Sequence, residues 1–312
     1  MTTSPSPTPR QGAPGGGAPA IQWYPGHIAK AEKALTASLE KVDLVIEVRD
    51  ARIPLATAHP RLQRWIKAKQ HLLVVNRRDM VSEAARKDWD RWFRERGQTP
   101  WWCDARSGTG VSQLQQAAIR SGEALNARRL GRGMLPRPVR ALMLGFPNVG
   151  KSALINRLVR KKVVESARKA GVTRSLRWVR LGQDIDLLDA PGVLPPRLDD
   201  QQAALRLALC DDIGQAAYDT EAVALALLRL LIQLEPDPAA GVAPGLLQGR
   251  YGVATSPEVE EWLSTAALRH TSGDTLRMAQ RLLDDFRRSL LGPISLELPW
   301  GQAVDKPKDR SC

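Results

Sequence analysis

The octapeptide GFPNVGKS, residues 145–152, constrains the fold of this chain more than any other stretch. It fits the pattern G-x-x-x-x-G-K-[ST], follows the apolar run ALMLG (141–145) and precedes the helical pattern ALINRLV (153–159). A strand, a glycine-containing loop and a helix in this order surround a phosphate chain with backbone N–H groups. The octapeptide therefore predicts an α/β domain that binds a nucleotide.

Each position of this loop has a predicted role. Gly145 and Gly150 let the backbone curve around the phosphates, the Lys151 ammonium reaches the β- and γ-phosphates, and the Ser152 hydroxyl binds Mg²⁺. Backbone N–H groups of the loop and the first helical turn would point at the anion. These groups belong to Asn148, Val149, Gly150, Lys151, Ser152 and Ala153. Lys151 is thus both a binding and a catalytic candidate.

A second phosphate-binding element follows in IDLLDAPG (185–192). Its apolar strand ends in Asp189, which can hold the Mg²⁺ shell, and the amide of Gly192 could meet the γ-phosphate. Between the two elements, GVTRS (171–175) offers the hydroxyl of Thr173, which would complete the metal's coordination when a triphosphate is bound. The pair of elements is much more specific for a nucleoside triphosphate than either one alone.

Short apolar runs alternate with helical patterns up to about residue 195. The runs are VDLVIEV (42–48), HLLVVN (71–76), ALMLG (141–145) and IDLLD (185–189). Strands that are apolar on both faces and separated by helices predict a mainly parallel sheet with helices on both faces. One such helix is SEAARKDWDRWFRERG (82–97), with Ser82 as its N-cap and Gly97 at its end.

Helical patterns dominate after residue 200, until PISLEL (293–298) predicts one more strand. The apolar run 222–234 predicts a buried helix, because a membrane span needs roughly 20 apolar residues. In SPEVEEWL, Ser256 is the predicted N-cap of a helix and Pro257 its first residue. Spacings of three and four in residues 274–292 predict a packed helix face. That face consists of Leu276, Ala279, Leu283, Phe286 and Leu290.

The chain is strongly basic, with 46 Lys and Arg against 33 Asp and Glu and a net charge of +13 in 312 residues. Ten of the basic residues lie between Lys151 and Arg180, where Glu165 is the one acid. Such clustering favours nucleic acid as a partner, although solubility alone could explain a basic surface. Three arginines share a face of the last helix, which is either solvated or an RNA contact: Arg277, Arg281 and Arg288.

Cysteine usage indicates a reducing compartment. Cys103, Cys210 and Cys312 have no C-x-x-C spacing, so neither a disulfide framework nor a zinc site is indicated and a cytoplasmic location fits best. Residues 1–20 are rich in Pro, Gly and Ser and are predicted to be disordered. They lack the apolar stretch of a secretory signal, while a transit peptide stays an alternative.

The nonapeptide HLLVVNRRD (71–79) ends an apolar strand with Asn76 and Asp79. Both residue types are common in ordinary turns. Beside a phosphate-binding loop, however, the Asp79 carboxylate could accept from guanine N1–H and the 2-amino group, with Asn76 bracing the loop. Adenine offers no matching pair of donors, so this site would select GTP over ATP. The alternative is an ATP-using enzyme in which the motif is fortuitous.

The predicted base-binding motif precedes the phosphate-binding loop by about 70 residues, the reverse of the usual order in GTPases. This order, with WYPGH (23–27), VRDARIP (48–54), GFPNVGKS and DFRRSLLGPISLE (285–297), resembles the circularly permuted GTPases of the ribosome biogenesis GTPase A (YlqF-like) family. The resemblance covers roughly residues 21–298. It implies a GTPase domain at 21–198, a smaller helical RNA-binding domain at 199–298 and a flexible tail at 299–312.

The resemblance also implies roles for single residues. His27, in the Pro-Gly-His motif, would take part in hydrolysis, although a lone histidine is often structural; Val193 follows Gly192 and cannot orient water. Asn148 would hold K⁺, and the backbone N–H at or near Ala105, in CDARSGTG (103–110), would contact the guanine carbonyl oxygen. Arg77 stands where such GTPases usually have Lys, which could weaken guanine affinity but leave selectivity with Asp79.

These observations predict a GTP-hydrolysing assembly factor with Mg²⁺ and K⁺ as cofactors. Its partners would be the precursor of the large ribosomal subunit and its rRNA, without a membrane or DNA partner. Hydrolysis would be slow alone and stimulated by the subunit, and nucleotide state would alter how the helical domain meets RNA. A rival hypothesis is a passive RNA-binding scaffold whose nucleotide site turns over negligibly.

Overall fold

A six-stranded sheet organises the first two thirds of the chain. The computed structural model describes residues 21, 35–66, 69–164, 177–190, 192 and 200–299. His27, Thr173, Val193, the predicted tail 1–20 and residues 300–312 of the predicted tail 299–312 lie outside these residues. The strands are β1 Leu44–Asp50, β2 Gln70–Asn76, β3 Pro100–Trp102, β4 Val139–Gly145, β5 Arg177–Leu181 and β6 Ile185–Asp189. Their spatial order is β3-β2-β1-β4-β6-β5.

The sheet is parallel except at one edge. Strands β1, β2, β3, β4 and β6 pair in parallel, whereas β5 pairs antiparallel with β6. The predicted mainly parallel sheet is therefore confirmed, with boundaries that differ by up to two residues. The short strands β3 and β5 were not predicted from the sequence. The carboxyl ends of β1, β2, β4 and β6 meet at one edge of the sheet, where α/β proteins bind their ligands.

Helices cover the sheet and predominate in residues 200–299. They are α1 Leu62–Ile66, α2 Glu83–Glu95, α3 Val111–Ser121, α4 Glu123–Leu130, α5 Lys151–Val159, α6 Gln201–Leu209, α7 Thr220–Leu234, α8 Leu246–Tyr251, α9 Val259–His270 and α10 Thr275–Arg287. Residues 35–39 are also helical. Ser82 caps α2 as predicted, because its Oγ accepts from Ala85 N at 2.9 Å. No described helix is long and apolar enough to cross a membrane.

Both faces of the sheet are buried, as the apolar strands predicted. On one face, Val45, Leu142 and Leu188 pack with Leu35 and Leu39 of the helical residues 35–39. On the other face, side chains of β1, β4 and β6 belong to a large cluster that also contains residues of α3, α5, α6 and α7. That cluster continues into α9 and α10, so the helical region shares its hydrophobic core with the sheet domain.

The region 200–299 is helical and contains no strand, so the predicted strand 293–298 is wrong. This segment is nevertheless buried, and its backbone bonds to loops instead of to a neighbouring strand. Ser295 N donates to Ala240 O at 2.9 Å, and Leu296 N donates to Arg52 O at 3.0 Å. The apolar alternation of PISLEL thus reflects burial under loops.

Of two further predictions for the helical region, one is wrong and the other is right only in part. The N-cap of α9 is Glu258 and not the predicted Ser256. Ser256 Oγ accepts from Glu258 N at 3.1 Å and so closes a turn that precedes the helix. In α10, Leu276 and the following Leu290 are about half exposed. Ala279, Leu283 and Phe286 are buried as predicted, whereas Met278 and Leu282 complete the packed face in place of Leu276 and Leu290.

Candidate nucleotide site

The loop 145–150 connects β4 to α5 at the carboxyl edge of the sheet. Gly150 adopts a left-handed φ of +96°, and a Cβ at this position would lie 2.3 Å from Asn76 Nδ2. Asn148 is left-handed as well, with φ of +56°. A loop with left-handed residues before a helix N-terminus presents its N–H groups to an anion. The backbone of this loop therefore fits a phosphate chain.

Lys151, the first residue of α5, is buried beneath this loop. Its Nζ donates to Phe146 O at 2.7 Å and to Gly145 O at 3.1 Å. Burial lowers the pKa of Lys151 to about 8, while Asp189 and Asp212 act in the opposite direction. A bound phosphate would replace the two carbonyl partners by charged ones and restore the ordinary pKa.

Asp189 ends β6 next to the phosphate-binding loop and is buried. Burial raises the pKa of Asp189, and the charge of Lys151 partly offsets this. Its Oδ1 has no hydrogen-bond partner among the described residues. An unpaired buried carboxylate oxygen is costly unless a ligand or metal satisfies it. The residue present thus fits Mg²⁺, with Ser152 in the first turn of α5 as the second predicted ligand.

The described residues contain no cluster of three or more His, Cys, Asp and Glu side chains that could hold a metal ion. Mg²⁺ is commonly held by one or two protein oxygens together with substrate phosphates, so it does not need such a cluster. The donor set at Asp189 and Ser152 is of this kind.

Gly192 lies directly against the phosphate-binding loop. A Cβ at residue 192 would be 2.6 Å from both Cα and N of Pro147. A side chain there would displace one of the two backbones, since real Cβ atoms do not approach this closely. The second phosphate element and the first are thus in contact, as their predicted shared role requires.

Asn76 joins the end of β2 to two other loops. Its Nδ2 donates to Val149 O in the phosphate-binding loop at 2.9 Å, and its Oδ1 accepts from Ala105 N at 3.2 Å. The structure therefore brings Asn76, Val149 and Ala105 together as a brace. To contact guanine, the N–H of Ala105 would have to share or release its bond to Asn76.

Asp79 lies in the one-turn 3₁₀ segment Arg78–Met80 and is exposed. Although the residue is exposed overall, partial desolvation of its carboxyl group by the neighbouring loops and, next, the charge of Asp104 raise the pKa of Asp79. Asp104 in turn accepts from Arg106 N at 2.7 Å and from Ser107 N at 3.1 Å, which folds the 103–110 loop. Two carboxylates therefore line this end of the site, and Asp79 is the one open to a ligand.

Arg77 connects the base-binding motif to the phosphate-binding loop. It is left-handed, with φ of +64°, and its Nη2 donates to Asn148 O. Its Nη1 donates to Asp50 Oδ2 at 2.7 Å. The planar guanidinium makes both contacts at once, which a lysine ammonium at the same place would make less readily.

Sequence reasoning missed a buried charge cluster behind Arg77. Asp50 also accepts from Arg52 Nε at 3.0 Å and Nη2 at 2.7 Å. Burial alone would raise the pKa of Asp50, but the charges of Arg52 and Arg77 lower it to about 2. Asp50 is the last residue of β1, just as Asn76 is the last residue of β2. A search for polar residues at strand ends, which identified Asn76, would therefore have identified Asp50 as well.

Asp212 completes this cluster from the helical region. It is fully buried, and its Oδ1 lies 3.9 Å from Arg77 Nη1. Neither carboxylate oxygen has a hydrogen-bond partner among the described residues. Burial and the charge of Asp50 raise the pKa of Asp212 to about 8. No local pattern in the sequence predicted this contact.

Comparison with known proteins identifies the family. Residues 140–230 match the family described as 50S ribosome-binding GTPase. Ribosome biogenesis GTPase A of Bacillus cereus is 32% identical over 294 residues, which cover 91% of this chain and 97% of that protein. The chain belongs to the ribosome biogenesis GTPase A family.

Two further similarities extend this result. Mitochondrial ribosome-associated GTPase 1 of Mus musculus is 30% identical over 304 residues, covering 88% of this GTPase and 90% of the mouse protein. The crystal structure of GNP-bound YlqF from T. maritima superposes with a TM-score of 0.58 at 21% identity, covering 88% of this chain and 100% of that one. The predicted circularly permuted P-loop GTPase fold is confirmed.

The permuted order explains how the site of this GTPase is assembled. Strand β2, which carries the predicted base-binding motif, precedes β4, which carries the phosphate-binding loop, yet both flank β1 in the sheet. Because parallel strands present their carboxyl ends at one edge, the chain order does not affect where the loops meet. Helix α6 and the helical region then follow the second phosphate element.

Proposed function

We propose that this GTPase assists assembly of the large ribosomal subunit and binds the subunit's rRNA in a nucleotide-dependent way. The supporting observation is the brace at Asn76, which holds the base-binding loops and the phosphate-binding loop together. The names of its relatives refer to ribosome biogenesis and to mitochondrial ribosomes. In this proposal the protein works in the cytoplasm, without a membrane or DNA partner.

In the proposed reaction, Asp79 selects guanine through the base's N1–H and 2-amino donors. Lys151 leaves the carbonyls of residues 145 and 146 and binds the β- and γ-phosphates. Asp189, Ser152 and Thr173 hold Mg²⁺, which neutralises the phosphate charge when bound. Gly192 contributes its amide to the γ-phosphate, and His27 takes part in attack by water, since Val193 has no polar group.

We assign the K⁺ site to Asn148 in the phosphate-binding loop. The side-chain Nδ2 of Asn148 donates to Asp211 O, and its backbone carbonyl accepts from Arg77. A K⁺ ion here would place a positive charge near the phosphates, where other systems use an arginine. This role predicts faster GTP hydrolysis in K⁺ than in Na⁺ at equal ionic strength.

We assign rRNA binding to the helical region at 199–298, and GTP hydrolysis to the domain at 21–198. Helix α10 exposes Arg277 and Arg281, and its C-cap Arg288 is exposed as well. Leu268 of α9 and Leu276 of α10 are also exposed, at 75% and 46%. Arginines beside exposed apolar side chains can contact phosphates and unstacked bases together. This surface therefore supports RNA binding better than a purely solvated face would.

The decisive experiment measures GTP hydrolysis in K⁺ buffer with and without purified large ribosomal subunits, and ATP serves as the control nucleotide. The proposal expects a large stimulation by the subunits that is restricted to GTP. GTP binding without any stimulation would remove the ribosomal partner but keep the GTPase. Equal turnover of GTP and ATP would overturn the assignment of Asp79.

A Lys151→Ala variant separates this proposal from a passive RNA-binding scaffold. Loss of the ammonium should abolish hydrolysis and assembly activity, while binding to bare rRNA survives. A scaffold with an idle nucleotide site would keep its assembly activity in this variant. Lys87→Ala is the matched control, because Lys87 is exposed on α2, where it pairs with Glu83 at 3.0 Å.

A further inference from the structure

The C-terminal end of α6 lies against the phosphate-binding loop. The helix ends in a Schellman motif, in which Asp212 N donates to Leu207 O at 2.9 Å and Asp211 N donates to Ala208 O at 3.1 Å. Asp211 is the left-handed residue of this motif, with φ of +62°. Its carbonyl therefore points away from the helix axis, and Asn148 Nδ2 donates to it at 2.6 Å.

Four consecutive carbonyls at this end of α6 accept hydrogen bonds from side chains of distant segments. Arg287 of α10 donates to Ala208 O at 2.8 Å and Leu209 O at 3.0 Å. Arg52 donates to Cys210 O at 3.1 Å, and Asn148 donates to Asp211 O. Cations at a helix C-terminus are favourable, because the last carbonyls carry partial negative charge. The two guanidiniums thus fix the position of the carbonyl that Asn148 uses.

When a hydrogen bond holds the nitrogen of an amide side chain, the direction of the amide oxygen is restricted as well. The two arms of the Asn148 amide are coplanar, so the bond from Nδ2 to Asp211 O sets the direction of Oδ1. The bond from Arg77 to Asn148 O holds the backbone of the same residue. Asn148 is therefore positioned from two sides, by the base-binding motif and by the helical region.

We propose that Asp211 is a positioning residue of the nucleotide site, whose backbone carbonyl orients Asn148 and couples the phosphate-binding loop to the helical region. The inference rests on the proposed function, since it assumes that guanine nucleotide binds at this loop. The bonds of Arg287 extend the coupling to α10, the helix assigned to rRNA. The carboxylate of Asp211 is not needed for this role, because the contact is made by the main chain.

A pair of substitutions at Asp211 tests the carbonyl separately from the side chain. Asp211→Gly and Asp211→Val both remove the carboxylate, but only glycine adopts the left-handed conformation without strain. Release of a fluorescent GDP analogue should stay within about twofold of the native rate in Asp211→Gly. In Asp211→Val it should be about fivefold to thirtyfold faster, the factor that corresponds to the strain of a left-handed residue with a β-branched side chain.

Ser272→Val is the matched control for the backbone. Ser272 is exposed, is left-handed with φ of +56° and lies in the turn between α9 and α10. The substitution should lower the melting temperature about as much as Asp211→Val without changing GDP release. If Asp211→Val does not fold, Asp211→Ala carries the same prediction with a smaller increase, about twofold to fivefold, because alanine is strained less.

Three results would overturn the inference: native release in Asp211→Val, equal acceleration in Asp211→Gly, or equal acceleration in Ser272→Val. The first shows that the carbonyl is irrelevant, the second that the side chain acts, and the third that lost stability is the cause. A native protein that binds GDP no better than ADP would overturn the proposed function, and this inference with it. Tight GDP binding with unchanged release in Asp211→Val would overturn the inference alone.

Discussion

The guanidinium of Arg77 donates a hydrogen bond to the backbone carbonyl of Asn148, across 71 residues of chain. Its other terminal nitrogen donates to the buried carboxylate of Asp50 at 2.7 Å. The residue that follows Asn76 thus holds the phosphate-binding loop against the end of β1. Arg77 therefore has a structural role in joining these two segments.

Replacing Arg77 by lysine should weaken GDP binding. One ammonium would serve Asn148 O and Asp50 less well than the guanidinium does, and loss of one charge-assisted hydrogen bond costs about 1.5 kcal/mol. The expected change is about tenfold in the dissociation constant, measured with a fluorescent GDP analogue. Arg78→Lys is the neighbouring control and should have no effect. Tighter GDP binding in Arg77→Lys would show that lysine suits this site better.

Replacing Asp79 by asparagine should change the base that the site prefers. The amide can accept one hydrogen bond and donates where the carboxylate accepted, so guanine loses a partner and xanthine gains one. Leaving a buried polar group unpaired costs about 1–3 kcal/mol, or roughly tenfold to a hundredfold in affinity for GDP. Competition between GDP, XDP and ADP for the site would measure the switch.

Asp88→Asn is the control for this prediction, because Asp88 lies on the outer side of α2, 3.9 Å from Arg91. It should bind all three nucleotides as the native protein does. An unchanged preference in Asp79→Asn would favour the alternative that the motif at 76–79 is an ordinary turn.

The site residues that belong to a local sequence pattern could be predicted from the sequence. The apolar runs predicted four of the six strands, the polar residues at strand ends predicted Asn76 and Asp189, and the G-x-x-x-x-G-K-[ST] pattern predicted Lys151. Two strands were not predicted: β3, because it has only three residues, and β5, because three of its five residues are exposed. Such short or half-exposed strands are specified by pairing with a neighbour more than by their own composition.

Contacts between distant segments could not be predicted in the same way. Asp212 and Asp211 follow an ordinary helix, and only the packing of α6 brings them to Arg77 and Asn148. The segment 293–298 shows the same limit, since its alternation arises from burial under loops. An apolar pattern in the sequence indicates that side chains are buried, but it does not indicate which structural element they pack against.

Replacing Gly192 by alanine should impair nucleotide binding without unfolding the protein. The added Cβ would lie 2.6 Å from the backbone of Pro147, so the two phosphate elements would have to separate. We expect at least a tenfold loss in affinity for a GTP analogue, measured by calorimetry, with a smaller loss for GDP because Gly192 faces the γ-phosphate in our proposal.

Gly249→Ala supplies the control for Gly192→Ala. Gly249 lies within α8, and a Cβ there meets no atom within 4 Å. Alanine should stabilise this helix by up to about 1 kcal/mol and leave nucleotide binding unchanged. If Gly192→Ala bound the GTP analogue and the GDP analogue each as tightly as the native protein does, that result would contradict the proposed contact of Gly192 with the γ-phosphate.

Glu297 should make the stability of the protein fall as pH rises towards neutrality. The carboxylate is buried and accepts from Leu55 N at 2.7 Å and Ala56 N at 3.1 Å, with Arg206 at 3.8 Å. Burial raises the pKa of Glu297 to about 7, although these partners lower it. Between the unfolded value near 4.5 and about 7, the folded state binds the proton more tightly than the unfolded state.

The contribution of Glu297 is therefore fully present below about pH 4.5 and is lost as pH rises through 7. Its size is at most about 3 kcal/mol, since one pKa unit corresponds to 1.36 kcal/mol. In Glu297→Gln the side chain is neutral throughout, so urea denaturation at pH 5 and pH 7 should give free energies of unfolding that differ less than in the native protein. Glu83→Gln, at an exposed site on α2, should keep the native difference. A Glu297→Gln protein with the native pH dependence would place the titrating group elsewhere in the fold.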